Sequence, residues 1–424
     1  MPHQLGVTIR ATVAPGKAAE LREWLVRTGR QGMAEIPFDF AHLRGVHFAR
    51  LFLFEDTVDL DGRPIPASLV YMTEVDAPLR RHLAELVDVA GDGMDGAFGR
   101  CEGYPRPGAR RRIRIRWLRQ HLVSSSAVYV NTVGRGLEQI RQEAKLRAAL
   151  QDYLDRPDHN WSADAPGAVR ADIQAYVGGR PDLAWAMKPP ARPGLLWRAG
   201  EAIHKVGVPL ALLLLLPVLL VALPIWAVLL RLSERRDVPD TERPTPEHAH
   251  ELASYEDFVV QNPFAAIGLL KPGLLRRITA GGVLFGINYA VRHWYNHANL
   301  AGVKTIHFAR WVPLDRWRRV VFASNYDGSL ESYMDDFIDR VGWGLNAIFS
   351  NGQGYPRTRW LLFGGARYEQ DFKYYLRRHQ VPVAAWYTAY PTLTAHNIEN
   401  NAQIRAGLSG ELSRAEVEQW LSLL

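Results

Sequence analysis

Along Leu5–Val13 apolar and polar side chains alternate, the period of a half-buried strand. After Pro15-Gly16 the period changes, and Lys17–Arg27 sets Leu21, Trp24 and Leu25 on one helical face. A run carrying His47-Phe48-Ala49-Arg50 and another at Ala67–Val75 read as strands. A helix is predicted near Asp76, whose carboxylate is placed to cap free N–H groups. Gly103-Tyr104-Pro105-Arg106 ends that helix, and a last strand holds Tyr129. The same series then returns: Pro272-Gly273, His307-Phe308-Ala309-Arg310, Arg319–Ser324, Asp327, Gly354-Tyr355-Pro356-Arg357 and Tyr387. Arg119-x-His121-x-Val123 with Ala127-x-Tyr129 also recurs, as Arg377-x-His379-x-Val381 with Ala385-x-Tyr387. Identical tetrapeptides in one order, at nearly constant spacing, indicate an internal duplication. Each copy reads β-α-β-β-α-β, the split βαβ arrangement, within Leu5–Leu150 and Tyr255–Leu408.

Between the copies, Val206–Leu230 carries no charged residue. As a straight helix it measures roughly 37 Å, ample for a ~30 Å hydrocarbon core. Pro217 lies near its midpoint, where a missing N–H and a ring clash break a helix. Arg198 and Lys205 precede the segment, and Arg231, Arg235 and Arg236 follow it. Positive charge on both flanks fits two ends on the cytoplasmic side. Two copies that pair with each other must also share a side. The segment is therefore predicted to be a re-entrant hairpin and the chain monotopic, with a single pass as the alternative. Phe264–Ala290 is apolar on nearly every side, suited to dock on the bilayer or on the hairpin. The expected division is residues 1–150, a linker at 151–205, the membrane segment at 206–230, a linker at 231–254, and a second unit at 255–424 ending in a helix.

Composition narrows the chemistry. The single cysteine, Cys101, excludes an intrachain disulfide. A formal charge of +7 suits an anionic lipid surface. The one dense basic run, Arg110–Arg116, alternates like an edge strand, and nucleic acid is not expected as a partner. The chain has no Walker loop, no Gly-x-Gly-x-x-Gly, no Gly-x-Ser-x-Gly and no Cys-x-x-Cys.

The opening VTIRATVAPGKAAELREWL resembles a ferredoxin-like unit of the dimeric α+β-barrel superfamily. That superfamily holds cofactor-free monooxygenases, chlorite dismutases and dye-decolourising peroxidases. The resemblance implies an α+β fold, with two ferredoxin-like units forming an intramolecular pseudo-dimer around the inserted membrane segment. Through IHFARW, SNYDGSLESYMDDFID and NGQGYPRTRW the second copy is also similar to an uncharacterised family of bacterial membrane-associated proteins.

Residues shared by both copies (His47/His307, Arg50/Arg310, Tyr104/Tyr355, Arg106/Arg357 and His121/His379) are expected first to hold the fold. Ser324-Asn325-Tyr326-Asp327-Gly328 is similar to the Gly-x-x-Asp-Gly motif of dye-decolourising peroxidases, with serine for the first glycine. The resemblance implies haem as cofactor, with Asp327 moving a proton of bound peroxide and His396 binding the iron from the other face. Asn400, one turn on from His396, is placed to accept from its second ring nitrogen. Asn325 and Arg357 complete the expected catalytic set with Asp327, Arg357 stabilising negative charge. Against this stands the plainer reading, in which Asp327 is a helix cap and His396 a surface residue. His293 and His297, four apart, have a ligand spacing of their own without a carboxylate motif. The expected function is a membrane-surface oxidoreductase on the cytoplasmic face, peroxidase-like and acting on an apolar or lipid-like small molecule. The alternative is a non-catalytic module that anchors a partner enzyme to the bilayer.

Overall fold

The computed structural model describes residues 3–34, 37–157, 161, 165–189, 193–295 and 298–424. Its main strands are β1 (Gln4–Thr12), β2 (Val46–Phe54), β3 (Ser68–Asp76), β4 (Ala127–Val130), β5 (Gln261–Leu269), β6 (Ile306–Leu314), β7 (Arg319–Asp327) and β8 (Ala385–Thr388). They form two four-stranded antiparallel sheets, ordered β1-β3-β2-β8 and β4-β6-β7-β5. Each sheet thus takes three strands from one copy of the repeat and its fourth from the other. The duplication survives in detail, since β2–β3 and β6–β7 shift register at matching points, Val46/Phe48 and Ile306/Phe308.

The exchanged strands also tie the sheets together. Before entering the second sheet as β4, the chain runs beside β1, with Arg10 N–H donating to His121 O at 3.0 Å and Val123 N–H to Thr8 O at 2.9 Å. The second copy repeats this, with Val381 N–H donating to Ala265 O at 2.8 Å before the chain enters the first sheet as β8. The strands therefore close into a ring, which leaves little unpaired sheet edge. Inside the ring, Phe52, Phe54, Val70, Met72, Val312 and Val321 form one core. The outer faces carry the helices and two larger cores, around Phe38, Phe40 and Tyr71 in the first copy and Tyr326, Tyr333 and Tyr355 in the second.

In chain order the helices are α1 (Ala18–Gln31), α2 (Leu79–Asp88), α3 (Gly91–Phe98), α4 (Arg111–Gln120), α5 (Leu137–Leu154), α6 (Pro166–Gly179), α7 (Leu195–Leu214) and α8 (Leu216–Glu234). They continue as α9 (Pro246–Ala253), α10 (Leu274–His293), α11 (Leu330–Phe349), α12 (Glu369–His379), α13 (Ala395–Gly407) and α14 (Arg414–Leu421). Three sequence expectations are corrected. The basic run at Arg110–Arg116 is helical: α4 buries Trp117 and Leu118, and Arg111 and Arg114 pair with Asp88 and Asp95 across the packed surface. Arginine is a good helix former, and a five-residue alternation fits a helix once those carboxylates are in place. The segment read as a linker at 151–205 contains α6, whose Val169, Ile173 and Val177 join Leu146, Leu150, Ile404 and Trp420 in a further core. The helices after Asp76 and Asp327 begin at Leu79 and Leu330, and neither aspartate caps them.

The apolar segment bends. Helices α7 and α8 meet at Leu215, two residues before Pro217, which cannot donate to the preceding turn. Helix α8 is long and apolar enough to cross a membrane. Both feet of the bend stand on α10. Glu201 pairs with Arg292 at 2.6 Å, His204 Nδ1 lies 2.7 Å from His293 Nε2, and Tyr289 Oη donates to Lys205 O at 2.6 Å. At the other foot, Trp226 Nε1 donates to Thr279 Oγ1 at 2.8 Å and Arg276 Nε to Ser233 Oγ at 3.0 Å. From Arg276 to Arg292 along α10 is roughly 24 Å, whereas a straight helix from Glu201 to Ser233 measures roughly 48 Å. The apolar chain therefore rises from one end of α10, turns at Leu215 and returns to the other end. Its apex stands about 20 Å from α10.

Candidate functional site

The His-Phe-Ala-Arg tetrapeptides lie on β2 and β6, and alternation sends their arginines into the ring. Arg310 donates to Val7 O at 2.7 Å and to Glu74 Oε1 at 2.7 Å. Arg50 makes the matching bonds, to Phe264 O at 2.7 Å and to the Asn325 side-chain oxygen. Both arginines are buried, and each crosses to the opposite copy. The duplication is broken at one atom pair: where Arg310 meets the carboxylate Glu74, Arg50 meets the amide Asn325. The interior therefore holds two guanidinium groups against one carboxylate. Burial, with Arg310 adding repulsion against the attraction of Glu74, pushes Arg50 down to about 10.

The preceding histidines make the second shared arrangement. His47 Nε2 lies 3.1 Å from Asp76 Oδ1, and His307 Nε2 lies 2.7 Å from Asp327 Oδ1. The other carboxylate oxygen accepts a helix N-terminal amide: Leu137 N–H to Asp76 at 3.0 Å, Ala395 N–H to Asp327 at 2.7 Å. Each aspartate thus caps the helix after the exchanged strand, not the one next in sequence. Free N–H groups and the helix dipole both favour a carboxylate there. Tyr390 Oη stands 3.1 Å from His47 Nδ1, and burial raises its phenol well above the usual range. A histidine–carboxylate–phenol set can relay protons, yet here the histidines, Asp327 and Tyr390 are buried, and both carboxylates are already bonded to helix amides.

The five residues singled out from the sequence are not gathered in one pocket. Asp327 and Asn325 are buried in bonds equivalent to those of the first copy. Arg357 is exposed at the end of its tetrapeptide, and His396 is exposed on the first turn of α13. Asn400 Nδ2 lies 3.2 Å from His396 Nε2, so the amide does meet a ring nitrogen, through its NH2 group and not its oxygen. A haem needs Asp327 and His396 on opposite faces of a flat ring. Asp327 instead bonds the backbone of Ala395, the residue before His396, and no layer remains for a macrocycle. These residues do not fit haem. Helix α10 ends at His293, and His297 lies outside the described residues. Among the described residues no three metal-binding side chains converge.

The chain matches no protein-family model and no curated protein.

Two features escape a reading of the sequence. One is a cleft of about 920 Å³ between the copies, bounded by Leu25, Phe54, Asp240, Tyr255, Arg378 and His379. His379 Nδ1–H donates to Tyr375 O at 2.8 Å, and burial lowers its basicity. A smaller cleft lies at the equivalent place beside His121, where the imidazole stacks on Trp117 at 3.8 Å. The other feature is a buried ionic knot at the foot of α8. Asp237 accepts from Lys271 at 2.6 Å and Arg276 at 2.7 Å, while Glu234 accepts from the Thr358 hydroxyl and the Trp360 and Leu361 amides. The available signal was acidic residues directly after an apolar segment, facing cations that open the next apolar helix.

These placements separate scaffold from surface. Asp327→Ala removes a cap and leaves His307 unpaired, an expected loss of about 2 kcal/mol or more. His396→Ala, on an exposed first turn, is expected to change stability by less than about 0.5 kcal/mol. Thermal unfolding of both variants checks the contrast, and equal losses would count against it.

Proposed function

We propose that this protein is a monotopic membrane-surface module, in which a rigid body is held against the cytoplasmic face of a bilayer and recruits a partner. In this reading the body is a pair of ferredoxin-like units forming an intramolecular pseudo-dimer, and α7–α8 is its anchor. One observation carries the proposal: the apolar bend has both feet locked on α10, with large exposed side chains along its length, among them Leu210, Leu213, Leu214 and Leu220. A ~30 Å hydrocarbon core accommodates a bend about 20 Å deep, which passes its midplane and returns. Partners for the turn amides are supplied by the two helices themselves, since the break is confined to one residue. The histidines and arginines of the two His-Phe-Ala-Arg tetrapeptides are consumed by internal bonds, which supports a structural role over a catalytic one.

A second reading has its own observation. The inter-copy cleft is of ligand size, and it supports an enzyme, an oxidoreductase among the candidates, acting on a lipid-like molecule. Topology reporters fused at the N-terminus and after Leu424 are expected on the same side of the membrane. Opposite sides would overturn the monotopic reading. Mass spectrometry of organic extracts from the purified protein separates the two functions: a stoichiometric small molecule favours the enzyme, and its absence favours the module.

A further inference from the structure

We infer that the feet of the α7–α8 bend form a cationic collar that selects anionic lipid headgroups. The inference rests on the membrane reading above and adds the class of lipid. Arg198 and Lys205 stand at the α7 foot, Arg235 and Arg236 at the α8 foot, and Arg277 on α10 beside the α8 foot. All five are exposed, and none has a side-chain hydrogen bond or ion pair among the described residues. The neighbouring acids are already committed. Glu201 is paired with Arg292, Glu234 is buried among backbone amides and Arg231, and Asp237 is buried between Lys271 and Arg276. The collar is therefore positive at its surface, with no carboxylate left to offset it.

Its level relative to the apolar surface is fixed by aromatic residues. Trp294, at the α10 end nearest the α7 foot, is 63% exposed, and Trp360, whose amide is held by Glu234 at the α8 foot, is 45% exposed. Leu362 and Phe363 are exposed beside Trp360. Tryptophan at this boundary sits at headgroup depth, with apolar chain on one side and cations on the other. Lysine and arginine near an anionic leaflet each strengthen binding about fivefold, and the attraction decays within a Debye length.

Full-length protein is mixed, on dilution from detergent, with vesicles of phosphatidylcholine alone or of phosphatidylcholine with phosphatidylglycerol, and recovered by flotation. The expected result is a partition on the order of a thousandfold higher onto the anionic vesicles at low salt, shrinking as salt rises. A variant carrying Arg198→Gln, Lys205→Gln, Arg235→Gln, Arg236→Gln and Arg277→Gln is expected to bring the anionic-to-neutral ratio close to one. Its near-ultraviolet circular dichroism should match the parent, because no bonded group is removed. Equal partition of the parent on both compositions overturns the collar, as does an unchanged ratio in the variant. Failure of the folded parent to float with either vesicle overturns the membrane reading itself. Self-association that persists in detergent at the same salt points to a second copy of the chain on this face and also overturns the collar.

Discussion

Glu74→Gln is expected to destabilise the body by about 3–5 kcal/mol, because it removes the one carboxylate facing two buried guanidinium groups. The substitution conserves shape, so no cavity forms and the loss reports charge. Arg310 loses its 2.7 Å partner, and Arg50, held only by a carbonyl and an amide, loses the attraction that offset repulsion from Arg310. A buried cation without its counter-charge costs far more than a neutral donor left unbonded. The mirror position supplies the control. Asn325→Asp in the same chain puts a carboxylate against Arg50 and restores one acid to the interior. The double variant is expected to recover more than half of the loss. Thermal and urea unfolding in mild detergent measure both. A Glu74→Gln variant within about 1 kcal/mol of the parent would mean that the arginines are not held as described.

Asp237→Asn should act at a distance from the ring, at the root of the apolar bend. Its carboxylate bridges Lys271 and Arg276, both buried, and burial already lowers the affinity of Lys271 for its proton while Asp237 opposes that effect. With the bridge neutralised, Lys271 is expected to fall further and Arg276 keeps only Ser233 as a side-chain partner. The expected cost is again about 3–5 kcal/mol, concentrated where α8 meets α10. Hydrogen exchange should quicken at the end of α8 and in residues 235–245, and proteases should cut there. Asp61→Asn, on an exposed loop pair with Arg63, serves as the comparison and should change neither. Unaltered exchange in Asp237→Asn would show that α8 is held by apolar packing alone.

How much of this was legible in the sequence depends on the range over which each signal acts. Strand periods at Leu5–Val13 and Ala67–Val75, and the bend near Pro217, are local and were read to within a few residues. The duplication was legible because identical tetrapeptides need no structural model. Strand exchange was not legible, since Ala127-x-Tyr129 carries the same alternation whichever sheet receives it. The placement of the candidate residues was hidden for a related reason. Asp327 was recognised as a cap, but its helix begins at Ala395, and no local pattern records that pairing. Asymmetry between copies was a sound guide to Asn325, and what it marks in the structure is a missing charge in the core. Arg357 and His396 are polar residues with convenient chemistry that the fold leaves on its outside.

The exchanged strands impose an order on biosynthesis. The first sheet cannot be completed until β8 has been made, long after β1, β2, β3 and the apolar bend have left the ribosome. Until then the edge of β2 that will receive β8 is open in the nascent chain. A ribosome stalled before Ala385 would hold a half-built body whose second sheet is whole and whose first is not. Conversely, the two halves, expressed as separate polypeptides, each carry the strand that the other lacks, and so constitute a natural split pair whose reassembly reports their proximity.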